Sequence, residues 1–157
     1  MATATHTTLE RLADTHEVVD ALYRFAAGQD SKDDALFRSA FTGDAVLDFT
    51  QPAARFDVDL PPMVGLEEIA GILRTLEPLR TTHTVTNPRV DIDGDTATLR
   101  ALVEAQHVRD ERPDEHLLLK NTYELRLVRD LDRWRIQQMV IRNVWHTGDP
   151  AVLFGGS

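Results

Sequence analysis

A chain of 157 residues is long enough for one domain that buries about 68–70% of its unfolded surface around a single core. Hydrophobic residues make up 42% and charged residues 27%, the balance of an ordinary globular chain and not of a disordered one. With 17 basic against 26 acidic residues the formal charge is −9, which repels phosphate backbones and anionic lipid and argues against nucleic-acid and membrane partners.

The opening segment "MATATHTTLERL" has neither a basic start nor an apolar run of 7 to 15 residues, so no signal peptide is expected. No cysteine occurs, which excludes disulfides, thiolate chemistry and sulfur-ligated metals. With no apolar run near the ~20 residues of a membrane span, the expected location is the cytoplasm.

Thr7-x-x-Glu10 has the form of a capping box, and Leu9, Leu12, Val19, Leu22 and Ala26 follow at helical spacing up to Gly28. Ser31-x-x-Asp34 reads as a second capping signal for a short helix carrying Ala35, Leu36 and Ala40. "AVLDF" alternates as a strand, with Ala45, Leu47 and Phe49 on one face. Gln51 to Pro62, with three prolines, reads as a loop, and Leu66, Ile69, Ile72, Leu73 and Leu76 mark a third helix ended by Pro78.

Beyond Pro78 the period changes from 3.6 to 2. "RTTHTVTNPRVDI", "TATLRALVEAQHV", "HLLLKNTYELRLV" and "RWRIQQMVIRNVW" predict four strands, with a hairpin at Asp93-Gly94 and a turn in "RDLDR". Helices first and antiparallel strands second predict an α+β fold with the helices on one face of a curved sheet. The tail "HTGDPAVLFGGS" is an apolar patch in a Gly/Pro setting, either frayed or folded back.

Strand parity sorts polar residues into inward and outward sets. His107 shares a face with Ala97, Leu99, Ala101, Val103 and Ala105; Asn121 and Tyr123 share one with Leu117, Leu119 and Leu125. His83 goes with Thr81 and Val85, and the final strand sets Gln138 and Arg142 with Trp134, Ile136 and Val140. Titratable groups on apolar faces imply either a buried polar network or a pocket; with small Ala101 and Ala105 beside His107, a pocket between sheet and helices is expected. Asp44, Asp91, Asp93, Asp95, Asp110, Glu111, Asp114 and Glu115 fall at expected turns and read as a solvated acidic rim. Two histidines and an Asp also admit a facial metal triad, but the short His-x-Asp/Glu spacing is missing.

Asp30 after a long helix, "DSKD" at the next helix, "TTH" on one strand and "QHVR" on the following strand together resemble the scytalone dehydratase and SnoaL-like branch of the NTF2-like superfamily. The resemblance spans Leu9 to about Trp145. It implies one domain over 1–157, built as a cone of three N-terminal helices wrapped by a strongly curved, mostly antiparallel sheet. It implies a homodimer or homotrimer, with residues 146–157 covering the cavity or meeting a neighbouring subunit. No cofactor and no metal are implied.

By the same resemblance Asp30 and His83 match a catalytic Asp/His pair in an apolar cup, and His107 matches a second histidine. His83 is then the expected general base and Asp30 its orienting partner, with His107 or Tyr123 protonating a leaving oxygen or stabilising an enolate. The family's two tyrosines around a substrate carbonyl are replaced by Gln29 and Phe49, while Tyr123 stands where the dehydratase has an asparagine. Scytalone itself is therefore not the expected substrate; Gln29, Asn121 or Tyr123 would supply the hydrogen bond, and Tyr23 and His16 could reach the cavity mouth.

The expected activity is cofactor-independent dehydration or isomerisation of a small, mostly apolar hydroxy-carbonyl or polyketide-like compound. The alternatives are a polyketide cyclase, a non-catalytic small-molecule-binding domain, and an assembly subunit like those of ring-hydroxylating dioxygenases. Read from the residues alone, Asp30 remains open to a second role as a helix cap. The catalytic reading requires Asp30 and His83 within about 3.2 Å or bridged by one water.

Overall fold

The Thr7/Glu10 capping box starts helix α1 (Thr8–Ser31): Thr7 Oγ1 accepts from the Glu10 amide at 3.2 Å, and Glu10 Oε2 accepts from the Thr7 amide at 2.6 Å. The computed structural model describes residues 7–155. Residues 1–6, where the reading of the leader segment begins, and 156–157 at the end of the tail lie outside the described residues. Only the C-terminal half of α1 packs: Val18, Ala21, Leu22 and Phe25 are buried, whereas Leu9 and Leu12 are exposed. Arg24, also buried, ion-pairs with Asp20 at 2.9 Å and donates to the Trp134 carbonyl at 2.8 Å, which ties the helix to the sheet.

Ser31 ends α1 and does not cap the next helix. The cap of α2 (Asp34–Ser39) is Asp33, whose Oδ1 accepts from the Leu36 amide at 3.0 Å. Lys32 at φ 56 makes the reversal between the two helices. The helices meet at Gly28, where a Cβ would stand 2.6 Å from the Phe37 backbone.

After β1 (Phe41–Asp48) the expected loop begins with a short helix, α3 (Thr50–Ala54), started by Asp48 Oδ1 accepting from the Thr50 amide at 2.9 Å. A two-residue strand, β2 (Met63–Val64), follows and pairs with β1. The third helical pattern breaks at Gly71 into α4 (Leu66–Ala70) and α5 (Ile72–Leu76); the amide of Gly71 bonds to the carbonyl three residues back instead of four, a tightened turn.

Strands β3 (Leu79–Asp93), β4 (Thr96–Arg109), β5 (His116–Asp130) and β6 (Arg133–Gly148) complete one curved sheet of order β2-β1-β6-β5-β4-β3. Every pairing is antiparallel except β1 with β6. The fold is the expected α+β cone.

Bulges correct the parity of β6. Arg126 pairs with Gln138 but Leu127 with Ile136, which leaves Gln137 unpaired; Lys120 pairs with Trp145 but Asn121 with Asn143, which leaves Val144 unpaired. Each extra residue flips the alternation. The inward set is therefore Trp134, Ile136, Met139, Ile141 and Asn143, while Gln138 and Arg142 face solvent.

The tail is folded back as α6 (Ala151–Phe154). Gly148, at φ 101, permits the turn, since a Cβ there would lie 2.1 Å from the His116 carbonyl oxygen. The Asp149 amide then donates to that same carbonyl at 2.8 Å. Among the described residues no helix is long and apolar enough to cross a membrane.

Candidate active site

The helices and the concave face of the sheet enclose a cavity of about 410 Å³, within the range of small-molecule sites. Its lining is mainly apolar: Phe25 from α1, Leu47, Leu119 and Ile141 from the sheet, Ile72 and Leu76 from α5, Leu153 and Phe154 from the tail. Phe154 is stacked on Phe49 at 6.2 Å between centroids and tilted against Phe56 at 5.2 Å. The polar lining residues are Gln29, Glu68, Thr75, His83, His107, Asn121 and Tyr123.

Asp30 lies in the last turn of α1, where β3 runs alongside. Its Oδ1 is 2.6 Å from Nδ1 of His83 and accepts from Thr81 Oγ1 at 2.9 Å; its Oδ2 accepts from the His83 amide at 2.8 Å. Asp30 therefore holds a strand side chain and not a helix end. Burial alone would raise its carboxyl, but the hydrogen bond and charge of His83, then the bonds from the His83 amide and Thr81, outweigh it and hold the group below the usual carboxylate range. An ionised Asp30 only accepts, so neutral His83 carries its hydrogen on Nδ1 and leaves the Nε2 lone pair free. The His83 side chain is 3% exposed and lines the cavity.

His107 stands edge-on to His83, with ring centroids 6.2 Å apart. Its Nδ1 donates to the Leu117 carbonyl at 3.2 Å. Burial, with the neighbouring His83 second, lowers it to about 4, so near neutral pH it is an uncharged ring whose Nε2 accepts. Gln29 spends an amide hydrogen on the Phe25 carbonyl at 3.3 Å. Tyr123 is buried against Phe25, centroids 6.1 Å apart, and burial pushes its phenol up, so it stays an un-ionised donor.

Of the expected residues, Asp30 and His83 are in contact, and Gln29, Phe49, His107, Asn121 and Tyr123 line the cavity with His83. Tyr23 does not. It is 43% exposed and lines an outer depression with Ala26, Ala27 and Asp30, because one helical step turns it away from the inward row Leu22, Phe25 and Gln29. His16 is exposed. Two supporting residues went unassigned in the sequence: Thr81, which already shares a face with His83, and Asn143, hidden by the bulges of β6. Among the described residues no three His, Cys, Asp or Glu side chains group so as to hold a metal ion.

Residues 10–140 match the SnoaL-like domain family. Over 149 residues the chain is 31% identical to the terrestric acid biosynthesis cluster protein E of Penicillium crustosum, with 90% of each chain covered. A candidate scytalone dehydratase from Novosphingobium aromaticivorans DSM 12444 superposes with a TM-score of 0.78 at 17% identity, covering 91% of this chain and 92% of the other. The hexachlorocyclohexane dehydrochlorinase LinA-type3 from Novosphingobium barchaimii LL02 does so with a TM-score of 0.74 at 17% identity, covering 96% and 100%. At these identities the two structures are likenesses of fold. The family match and the Penicillium relative carry the assignment: the chain belongs to the SnoaL-like domain family of the NTF2-like superfamily.

Proposed function

We propose that the protein is a cofactor-independent lyase or isomerase in which His83 removes a proton from carbon. The observation that carries this reading is the Asp30–His83 contact of 2.6 Å at the wall of an apolar cavity. Ionised Asp30 sets the tautomer and stabilises the imidazolium as it forms, the two conditions a histidine base needs.

In the elimination, Nε2 of His83 takes the proton α to a carbonyl, the C–H electron pair becomes the C=C bond, and the β C–O bond breaks. The departing hydroxyl needs a proton. His107 is a weak candidate, since its hydrogen is engaged on Leu117 and its pKa lies at about 4; Tyr123, pushed up by burial, is a poor acid. The imidazolium of His83 therefore returns the proton it has taken, and water leaves on the face from which the proton came. Proton transfer of this kind supplies roughly 10²- to 10⁴-fold, and orientation in the cavity adds the rest.

The test is a panel of small β-hydroxy ketones, followed by the absorbance of the enone formed. Wild-type turnover lost by at least ~10²-fold in His83→Gln supports the reading; undiminished turnover in that variant refutes it. The likeness to a terrestric acid biosynthesis cluster protein favours a substrate among oxygenated biosynthetic intermediates. In a dicarbonyl substrate of that kind the carbanion raised by His83 closes a ring onto the second carbonyl instead, and mass spectrometry of the products detects this as a new compound of unchanged mass.

A further inference from the structure

Of the residues that line the cavity only two are exposed, Glu68 and Thr75. They stand on the consecutive helices α4 and α5. The other polar lining residues lie deeper: Gln29, His107, Asn121 and Tyr123 are buried, and the His83 side chain is 3% exposed. The cavity therefore meets solvent along the α4–α5 side, and a ligand seated against His83 turns its outer end towards Glu68.

Glu68 is fixed at this opening. Helix α4 is pinned by the fully buried Ile69, whose amide donates to the Gly65 carbonyl at 3.1 Å. Oε2 of Glu68 accepts from the Val64 amide at 2.9 Å, which leaves Oε1 available to the opening.

The charge of this carboxylate is uncompensated. The preceding Glu67 is taken up by Arg38 at 2.6 Å, and Arg74 lies against Gly71, but among the described residues no cation is ion-paired with Glu68 and no Lys or Arg lines the cavity. Asp57 and Asp59, both exposed, alternate with the lining residues Val58 and Leu60 and add charge of the same sign. A fixed charge at the edge of an apolar, water-poor space acts on a ligand more strongly than one in bulk solvent.

We infer that Glu68 selects ligands by charge: the cavity takes neutral or cationic organic compounds and rejects those that carry a carboxylate, phosphate or sulfate at the end facing the opening. That the substrate of the elimination is accordingly uncharged rests on the acid/base reading above; the selection in binding stands without it.

The experiment binds three naphthalene probes of matched size, 2-naphthalenemethanol, 2-naphthoate and 2-naphthylmethylammonium, to the full chain at neutral pH and low salt. The Kd of each charged probe is divided by that of the alcohol. Glu68→Gln keeps a side-chain oxygen for the Val64 amide. In this variant the naphthoate ratio falls and the ammonium ratio rises, each by about fivefold, the effect of a unit charge about 4 Å away even in bulk water. Asp91→Asn, at an exposed position outside the lining, removes the same net charge and leaves both ratios nearly as in wild type. Thr75→Lys places a cation at the other exposed lining position without touching the Val64 bond, and moves both ratios in the same directions as Glu68→Gln. Ratios that Glu68→Gln moves no further than Asp91→Asn does, or that Thr75→Lys leaves unchanged, overturn the selection. His83→Gln leaves both ratios as in wild type while turnover is lost, so a failure of the base and a failure of the charge selection are read separately.

Discussion

Both oxygens of Asp30 are turned onto His83: Oδ1 meets the ring Nδ1 at 2.6 Å and Oδ2 meets the backbone amide of the same residue at 2.8 Å. The carboxylate thus grips ring and main chain together and holds the imidazole plane relative to the cavity. Asp30→Asn puts an amide where two donors converge, so one of them loses its acceptor. Turnover of a β-hydroxy ketone found in the panel should fall by roughly 10²-fold or more. Nitrogen-15 NMR of the imidazole should show the hydrogen leaving Nδ1, and an unchanged tautomer with unchanged turnover would count against the orienting role.

Thr81 is the third donor to Asp30, at 2.9 Å. In Thr81→Val the carboxylate loses a hydrogen bond that favours its charged form, and the Asp30 carboxyl should titrate at higher pH than in wild type. Carbon-13 NMR of the Asp30 carboxyl checks this, and the acid limb of the pH–rate profile should rise with it.

His107 makes stability depend on pH in a particular window. Unfolded, the imidazole titrates near 6.5; folded, burial holds it at about 4. As pH falls from 6.5 towards 4 the unfolded chain takes up a proton that the folded chain refuses, so stability falls across that interval by roughly 3 kcal/mol. Asp30 acts lower: its pKa is depressed on folding, so its contribution is complete above the ordinary carboxylate value of 3.8 and is lost only below it. Urea denaturation at pH 7, 5.5 and 4 should show a shallower decline for His107→Gln than for wild type; parallel declines would mean that His107 is not held neutral.

Phe154 of the tail lines the cavity, with its ring against Phe49 and Phe56. Phe154→Ala removes both aromatic contacts, each worth about 0.5–1.5 kcal/mol beyond area, from a four-residue helix at the chain's end. An apolar ligand should leave about tenfold faster. Stopped-flow displacement measures the off-rate, and an unaltered rate would place the tail outside the ligand's path.

Gly28 lies where α1 crosses α2, and an added methyl would meet the Phe37 backbone at 2.6 Å. Backbone cannot rotate away as a side chain can, so Gly28→Ala should destabilise by about 1–3 kcal/mol or more despite the better helix propensity of alanine. Chemical denaturation reads the change directly; a stabilised variant would show that the two helices separate freely.

The long helix was legible because its apolar residues repeat at helical spacing behind a capping box, and the four long strands because theirs alternate. Those signals are local and strong. The third helix was read as continuous because its apolar spacing carries across Gly71, although the backbone tightens there. Asp33 was passed over as the α2 cap because Ser31 three positions before an acidic residue matches the commoner signature. On β6 the inward set failed beyond Ile136: a bulge is one unpaired residue, and nothing in the side chains of "IQQMV" marks which glutamine it is. Asn143, which orients Asn121, was lost in the same way.

From the residues alone came the order of the long first helix and the long strands, the inward faces of His83, His107, Asn121 and Tyr123, and the absence of any thiol chemistry. All of these follow from spacing along the chain and from composition. The meeting of Asp30 with His83, 53 positions apart, the placing of Phe154 in the cavity lining and the bond from Asn143 to Asn121 were decided by tertiary structure. They depend on how far the sheet curves, where its bulges fall and which atom faces which across a strand pair, quantities set by packing between elements and not by any one element's sequence.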